Sequence, residues 1–177
     1  INDLVVGKPY DLKTDVGPVI DENAKNALLE HINQLKSEGK LVAEGSISPE
    51  LDALGYFVPP TIFEIDSISE LTKENFGPIM HIVRYKAGAL KERIMDVNNT
   101  GFGLTMGVHS RNEETVQFIE YYSRVGNFYV NRNQVGAVVG VQPFGGLGLS
   151  GTGPKAGGPN YLLRFMIERS ALLSLQQ

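Results

Sequence analysis

Cysteine is absent from this chain of 177 residues. Without a thiol, the chain can itself form no disulfide, no thiolate metal site and no cysteine nucleophile. A reaction that begins with attack by a cysteine would therefore need a residue that these positions do not contain.

Long apolar runs and clustered basic residues are also lacking. No stretch approaches the ~18 apolar residues needed to span a bilayer, and no signal peptide is recognised at Ile1. The net charge is −4, from 16 Lys and Arg against 20 Asp and Glu, whereas a nucleic-acid-binding surface requires clustered positive charge. We expect no membrane span, no nucleic-acid partner and a cytoplasmic setting.

The residues that are present make an ordinary globular composition, 42% hydrophobic and 20% charged. The length allows one large domain or a domain with an appendage. Glycine is unevenly placed, because nine of the 20 glycines lie between Gly136 and Gly158. Glycine permits positive φ and has no Cβ, so the chain is predicted to bend sharply or approach something closely there, at a built site.

Hydrophobic periodicity predicts helices and strands in alternation. Asp21 is expected to cap a helix that ends at Gly39, and residues 45–55 read as a polar loop. Asn112 is expected to cap a later helix, and Leu90 and Ile94 line another. The predicted strands are 40–44, 61–65, 79–85, 104–109 and 126–130.

This alternation predicts an α/β fold with a mostly parallel sheet and helices on both faces. The glycine-rich stretch follows the strand at 126–130, at a carboxyl end where open α/β sheets place ligands. A short helix is predicted at 160–165, and residues 166–175 alternate enough to form a C-terminal strand extension.

Two motifs in the chain have competing interpretations. Gly146–Gly151 matches the dinucleotide pattern G-x-G-x-x-G, but Pro143 and Phe144 precede it in place of a strand, so we do not interpret it as a Rossmann phosphate loop. Glu74 and Phe76 could bind sugar hydroxyls and a planar heterocycle. From residue type alone, a solvated loop acid and a core ring are the favoured interpretation.

The three histidines give no catalytic or metal-binding pattern. His31 is expected on the surface of a helix, beside the apolar stripe. His81 and His109 fall in predicted strands without a partner at ligand spacing, so they are interpreted as core or edge residues.

Taken together, several stretches resemble the carboxyl-terminal, catalytic-domain half of the aldehyde dehydrogenase superfamily. The landmarks occur in the family's order across nearly the whole chain. They are Val6-Gly7-Lys8-Pro9, Gly17-Pro18, Gly55-Tyr56-Phe57 with Pro60-Thr61, Glu74-Asn75-Phe76-Gly77-Pro78, Asn98-Asn99 with Gly103-Leu104, Gly126 with Val130-Asn131, and Pro143-Phe144-Gly145-Gly146 with Ser150-Gly151.

The glycine-rich stretch is similar to that of the Δ1-pyrroline-5-carboxylate dehydrogenases, which oxidise L-glutamate γ-semialdehyde with NAD. The sequence Thr152-Gly153-Pro154-Lys155-Ala156 is most like the corresponding sequence of the bifunctional bacterial proline-utilisation enzymes. In those enzymes the same polypeptide also holds a proline dehydrogenase domain that uses FAD, which would lie outside this chain.

The resemblance implies roles for five residues. Glu74 would bind the hydroxyls of the nicotinamide-side ribose, and Phe76 would contact the nicotinamide ring. Gly136 and Ala137 would hold the substrate's α-carboxylate through backbone N–H groups, since consecutive free N–H groups make an anion-binding concavity. Phe144 would pack on the aliphatic part of the substrate. No metal site is implied.

The chain departs from the family in the residue that matters most. The family's chemistry starts with a cysteine thiolate, continues with hydride transfer to NAD and ends with thioester hydrolysis, and no cysteine is present here. We expect a fragment that is inactive alone, with the nucleophile, the general base and most of the NAD site upstream of Ile1. The alternative is a non-catalytic binding or oligomerisation module derived from an aldehyde dehydrogenase.

The resemblance also suggests how the chain is organised. Residues 1–165 are expected to form part of the catalytic domain. Residues 166–177 are expected to form a strand that family members give to a neighbouring subunit, so we expect a homo-oligomer. An ordinary edge strand within one chain is the alternative.

Overall fold

A computed structural model describes residues 1–134, 138 and 140–171. The chain forms two compact units, Ile1–Lys86 and Ala87–Gln177. Within the described residues, no helix has the length and apolar character that crossing a membrane would require.

The first unit begins its regular structure with helix α1, Glu22–Ser37. Asp21 caps the helix as predicted, because its carboxylate accepts a hydrogen bond from Ala24 N at 2.8 Å and satisfies one of the unpaired first-turn donors. The helix ends before Gly39, whose φ of 73° lies in the left-handed region that glycine adopts most readily. Both predicted ends of α1 are confirmed.

Three strands form the sheet of the first unit: β1 Leu41–Glu44, β2 Thr61–Glu64 and β3 Ile79–Ile82. The order is β1-β2-β3, with β1 antiparallel and β3 parallel to the central β2. The predicted polar loop at 45–55 is partly wrong, because it contains helix α2, Pro49–Leu54. Ser48 caps that helix, and Pro49 starts it where its missing N–H costs nothing.

The core of the first unit joins α1 to the sheet. The buried side chains of α1 pack against Val58, Phe63 and Ile65. These α1 residues are Leu28, Ile32 and Leu35. Phe63 and Val58 are 0% exposed, so they are the centre of the cluster. A 3₁₀ turn, Ile68–Glu70, then leads out of the sheet toward β3.

Among its described residues, the second unit has two α-helices and four short strands. They are α3 Leu90–Asn99, β4 Phe102–Gly103, β5 Thr105–Val108, α4 Glu113–Tyr122, β6 Asn127–Val130 and β7 Leu147–Gly148. β5 and β6 are parallel, with α4 as their crossover, whereas β4 and β7 are antiparallel. The predicted α/β class, with helices and parallel strand pairs, is confirmed.

Asn98 holds the end of α3 against the end of α4. Its amide donates to Tyr122 O at 2.8 Å and accepts from Arg124 N at 2.9 Å. One side chain therefore satisfies a free carbonyl at the C-terminus of α4 and a free N–H in the turn that enters β6. Sequence analysis treated Asn98 only as part of a helix-ending turn.

The last regular element among the described residues is a 3₁₀ turn, Leu162–Phe165, where a short helix at 160–165 was predicted. Residues 166–171 belong to no regular element. The strand predicted at 166–175 had two interpretations, a strand given to a second copy and an edge strand within one chain. Residues 172–177 lie outside the described residues, and one chain does not test pairing with a second copy, so this strand stays a prediction.

Candidate functional site

Glycines before and after β6 let backbone pack directly on backbone. A Cβ on Gly126 would lie 2.8 Å from the carbonyl carbon of Gly145 and 2.9 Å from Gly146 Cα. A Cβ on Gly146 would lie 2.7 Å from Ser150 Cβ, and one on Gly151 would lie 3.0 Å from Gly146 Cα. The close approach predicted for residues 136–158 is confirmed at Gly146 and Gly151, and the close neighbour is the protein's own chain.

Strand β7 and the two residues that follow it are bonded to β4 and to the residue that precedes β4. Strand β7 pairs with β4, and Leu149 N donates to Gly101 O at 2.9 Å. Ser150 Oγ accepts from Gly103 N at 3.1 Å. The G-x-G-x-x-G pattern is thus a β-turn structure built on backbone pairing, which agrees with our rejecting it as a phosphate loop.

Backbone hydrogen bonds fix Phe144 itself, and side-chain hydrogen bonds fix the residues on either side of it. It forms a bridge with Ala156, with N–H to O distances of 3.1 and 3.0 Å. Asn127, only 9% exposed, donates to Pro143 O at 3.1 Å and accepts from Gly145 N at 3.2 Å. The ring of Phe144 is half-buried, so part of it remains available for contact.

Asn131 fixes the point where the glycine-rich stretch begins. Its φ is 53°, a left-handed conformation that asparagine tolerates better than most residues. Its amide accepts from Ser110 N at 2.9 Å and donates to Ser110 O at 3.0 Å. The end of β6 is therefore pinned to the turn that follows β5.

In the first unit, Glu74 and Phe76 lie on the segment between the 3₁₀ turn and β3. Both side chains are exposed, Phe76 by 81%. The favoured interpretation of Phe76 as a core residue is therefore wrong. Among the described residues, no hydrogen bond or ion pair engages the Glu74 carboxylate.

Gly77 brings the backbone of this segment onto the core. A Cβ on Gly77 would meet the buried side chain of Leu28 on α1, with Leu28 Cδ2 at 3.0 Å. Thr61 N donates to Pro78 O at 3.0 Å, which fixes the entry to β3. The backbone is therefore fixed against the core at residues 77 and 78, next to the exposed side chains of Glu74 and Phe76.

Two histidines that sequence analysis kept apart are paired in the first unit. His31 Nε2 on α1 lies 2.9 Å from His81 Nε2 on β3, and both rings lie beside Phe63. Burial lowers the pKa of both imidazoles; the charge of Lys73 lowers that of His31 further, partly opposed by Glu38, and His31 lowers that of His81. No spacing in the sequence signals a contact between residues 50 positions apart.

Unfolding free energy should therefore fall as pH drops from 7.5 toward 5.5. The folded-state pKa of each histidine lies below the unfolded value near 6.5, so below pH ~6.5 the unfolded chain binds protons first and is favoured. Double protonation also leaves two donors facing each other. Denaturant titrations across this range should show a smaller decline for His31→Gln/His81→Gln, and an equal decline would contradict the assignment.

Within the described residues, no group of three or more His, Asp or Glu side chains is arranged to hold a metal ion.

Comparison with known proteins identifies the family. The family model described as "Aldehyde dehydrogenase family" matches residues 1–171. The chain belongs to the aldehyde dehydrogenase family. The sequence resemblance is thereby confirmed, and with it the expectation that the fold is that of this family's α/β proteins.

Individual relatives narrow the likeness within the aldehyde dehydrogenases. "Bifunctional protein PutA" of Escherichia coli (strain K12) is 52% identical over 168 residues, which are 93% of this chain and 13% of that protein. A crystal structure of proline utilization A from Bradyrhizobium japonicum has a TM-score of 0.85 at 52% identity, covering 93% of this chain and 16% of that one. The chain spans well under a third of either relative.

A further solved structure is that of 1-pyrroline-5-carboxylate dehydrogenase from Thermus with bound NAD. Its TM-score is 0.77 at 40% identity, and it covers 92% of this chain and 31% of that one. Similarity to aldehyde dehydrogenases of proline catabolism is thus found in both sequence and structure.

The side chains of Glu74 and Phe76 have the chemistry that two parts of NAD, the ribose and the nicotinamide ring, would require of a binding site. A ribose needs a hydrogen-bond acceptor for its hydroxyls, and the exposed Glu74 carboxylate has open acceptor capacity. A nicotinamide ring needs a flat apolar surface, and the exposed Phe76 ring supplies one.

The three predicted substrate-binding residues lie in another part of the chain, and the structure describes one of them. Phe144 belongs to the second unit, and Glu74 and Phe76 belong to the first. Gly136 and Ala137 lie outside the described residues, so their role as carboxylate donors stays a prediction. Asn127 and Asn131 were missed by sequence analysis, although an asparagine at each end of a short strand is a signal for side-chain hydrogen bonds to turns.

Proposed function

We propose that this chain is part of an NAD-dependent dehydrogenase that oxidises L-glutamate γ-semialdehyde, the open form of Δ1-pyrroline-5-carboxylate. The observation that carries the proposal is the exposed acid and ring at 74 and 76, on a segment fixed by Gly77, in a chain 40% identical to a Thermus 1-pyrroline-5-carboxylate dehydrogenase solved with NAD.

Two residues would serve the cofactor. Glu74 would accept hydrogen bonds from the hydroxyls of the nicotinamide-side ribose, and Phe76 would pack against the nicotinamide ring. NAD, when bound, takes up the hydride that leaves the aldehyde carbon. Most of the NAD site would belong to residues outside this chain, and FAD would belong only to a separate proline dehydrogenase domain.

Three further residues would hold the substrate. The backbone N–H groups of Gly136 and Ala137 would bind the α-carboxylate, and the half-buried ring of Phe144 would pack on the methylene carbons. The fixed position of Phe144 supports this, because Asn127 and Ala156 hold the residue on both sides.

This chain would not supply the nucleophile of the reaction. It has no cysteine, so in this proposal the attacking thiolate and the general base come from residues that precede Ile1 in the working enzyme. The chain's contribution would be recognition and orientation, which determine how often the aldehyde meets the thiolate in a reactive geometry.

Self-association is proposed as the role of the C-terminal residues. Several large apolar side chains there are exposed, with Ile167 at 94%. They are Leu162, Leu163, Phe165, Met166 and Ile167. Contiguous exposed apolar surface is typical of contact sites. We propose that a second copy of the chain covers these side chains.

Two preparations test the proposed function. The chain alone, mixed with glutamate semialdehyde and NAD, should give no NADH absorbance above buffer. The Thermus dehydrogenase, with its matching segment replaced by this chain, should reduce NAD with the semialdehyde and much less with butanal, which lacks both the α-carboxylate and the α-amino group. A folded graft that oxidises butanal equally well would contradict the proposal.

The same graft tests the cofactor residue. Glu74→Gln removes the charge from an acceptor of ribose hydroxyls, and charge-assisted hydrogen bonds contribute about 1.5–3 kcal/mol. We expect KM for NAD to rise by about tenfold or more, while KM for the semialdehyde changes little. Glu30→Gln, at an exposed position of α1, is the matched control and should change neither value.

A further inference from the structure

The segment proposed to bind NAD and the strand that follows it are attached to helix α1 at two places. We call residues 71–78 the cofactor segment. Near its end, the side chain of Leu28 occupies the space where a Cβ on Gly77 would lie, with Leu28 Cδ2 at 3.0 Å. Further along, in β3, His81 contacts His31 of α1. Leu28 and His31 are neighbours on one face of the helix, so that face carries both attachments.

The second attachment is a single hydrogen bond between two ring nitrogens. The Nε2 atoms of His31 and His81 lie 2.9 Å apart and the ring centroids 5.1 Å apart, so the rings meet nearly end to end. In such a contact one Nε2 carries a proton and donates it, and the other Nε2 accepts it. The contact survives protonation of the donor ring, because the acceptor nitrogen keeps its lone pair. It is lost when both rings are protonated.

A cavity of about 360 Å³ lies between α1 and the start of the cofactor segment. His31 lines it from the helix, and Lys73 and Asn75 line it from the segment, on either side of the proposed ribose acceptor. Leu71 packs on the core at the start of the segment, so the residues over the cavity depend on this contact and on the two attachments that follow. A shift of β3 away from α1 would therefore move the part of the segment that is proposed to face NAD.

The charges that act on His31 come from the cofactor segment and from the end of α1. Burial lowers the pKa of His31 most, the charge of Lys73 lowers it further, and the charge of Glu38 raises it. Glu38 is paired with Lys40 at 2.8 Å, and Lys40 also binds Glu70. The carboxylates near His31 are thus shared with a lysine, which limits how far they can favour a protonated imidazole.

His81 faces His31 on one side and an uncharged ring on the other. Burial lowers the pKa of His81, and the neighbouring His31 lowers it further. The ring of Phe63 on β2 stacks on His81 with a centroid distance of 6.3 Å. Because each ring opposes the charging of the other, the pair titrates as a unit. The second proton, which breaks the contact, binds below pH ~6.5.

We propose that His31 and His81 are positioning residues that hold the cofactor segment for NAD, and that their double protonation releases it. They are assigned no contact with NAD and act through β3 and the backbone that precedes it. When their contact is lost, the segment keeps its contact at Gly77, and Glu74 and Phe76 spend less time in the binding geometry. The inference rests on the proposed function, since it names what regulates that same cofactor site.

The first test uses the chain as it is, labelled with ¹⁵N and followed by NMR from pH 7.5 to 5.5. The amide resonances of Glu74 and Phe76 should move with the same midpoint as the ring signals of His31 and His81. In His31→Gln they should move much less, because the glutamine amide accepts a hydrogen bond from His81 throughout this range. In Lys73→Gln the midpoint should move to higher pH, because a charge that opposes protonation of His31 is gone.

His109→Gln is the matched control. His109 is an exposed histidine of the second unit, and its replacement should leave the titration of the amides at 74 and 76 unchanged. If these amides titrate equally in the wild-type chain and in His31→Gln, the inference is overturned while the proposed function stands.

Kinetics in the Thermus graft connect the histidine pair to the cofactor. Between pH 7.5 and 5.5, KM for NAD should rise about two- to tenfold more in the graft with the unaltered chain than in the graft with His31→Gln, which is the effect of one hydrogen bond. KM for the semialdehyde should change equally in both, whereas a general loss of structure would affect both substrates. An equal rise in KM for NAD would overturn the positioning role. If Glu74→Gln leaves KM for NAD unchanged at pH 7.5, the proposed cofactor site itself fails, and the inference fails with it.

Discussion

Gly126→Ala is expected to destabilise the chain by about 3 kcal/mol or more. The added Cβ would meet the carbonyl group of Gly145 and lie 2.9 Å from Gly146 Cα. Both are backbone atoms, which cannot move aside as the end of a side chain can. Gly126 N also donates to Gly103 O at 3.0 Å, so a shift of Gly126 would break the contact that aligns the entry to β6.

The consequence should extend to the proposed site. Gly145 N is bonded to Asn127, and the neighbouring Phe144 is the residue expected to pack on the substrate. Displacing Gly145 would therefore move the ring as well as lower stability. Denaturant unfolding at pH 7.5 measures the first effect, and glutamate-induced shifts around residue 144 in NMR spectra measure the second.

Gly17→Ala is the control for this substitution. A Cβ on Gly17 would lie 3.8 Å from the nearest heavy atom, Pro9 Cγ, which is ordinary van der Waals contact. Its effect should stay within about 0.5 kcal/mol. If Gly126→Ala unfolds at the same denaturant concentration as Gly17→Ala, the backbone packing described for residues 145–151 is wrong.

The glycine-rich stretch shows what composition can and cannot predict. Clustered glycine predicts that backbone approaches something, and the contacts of Gly146 and Gly151 confirm it. The partner was not predictable, because strands β4 and β7 have only two residues each and carry no alternation to detect. Their pairing depends on a chain reversal more than 40 residues long, which no local pattern encodes.

The sequence predicts a structural feature well when the interaction that forms it joins residues close together in the chain. Asp21 and Asn112 cap their helices as predicted, since the capping bond joins residues three apart. Helix α2 was missed because its first residues, Pro49 and Glu50, resemble a loop, although Ser48 before them is a cap. Asn98, His31 and His81 act across 24 to 50 positions, beyond the reach of periodicity.

Two phenylalanines of the first unit should separate stability from function. Phe63→Ala removes a side chain that is 0% exposed and lies at the centre of the core cluster with Leu28, Ile32 and Val58. Large-to-small changes of this kind cost about 3–5 kcal/mol, because the lost transfer free energy is joined by the cavity left behind. We expect denaturant unfolding to show a loss of this size, together with release of the His31–His81 pair that lies beside the ring.

Phe76→Ala is the same chemical change at a side chain that is 81% exposed. It leaves no cavity, so the unfolding free energy should change by less than about 0.5 kcal/mol. In the Thermus graft, however, KM for NAD should rise severalfold, because an apolar contact with the nicotinamide ring is lost. A large stability loss for Phe76→Ala would mean that the ring is packed and that segment 74–76 does not present a cofactor surface.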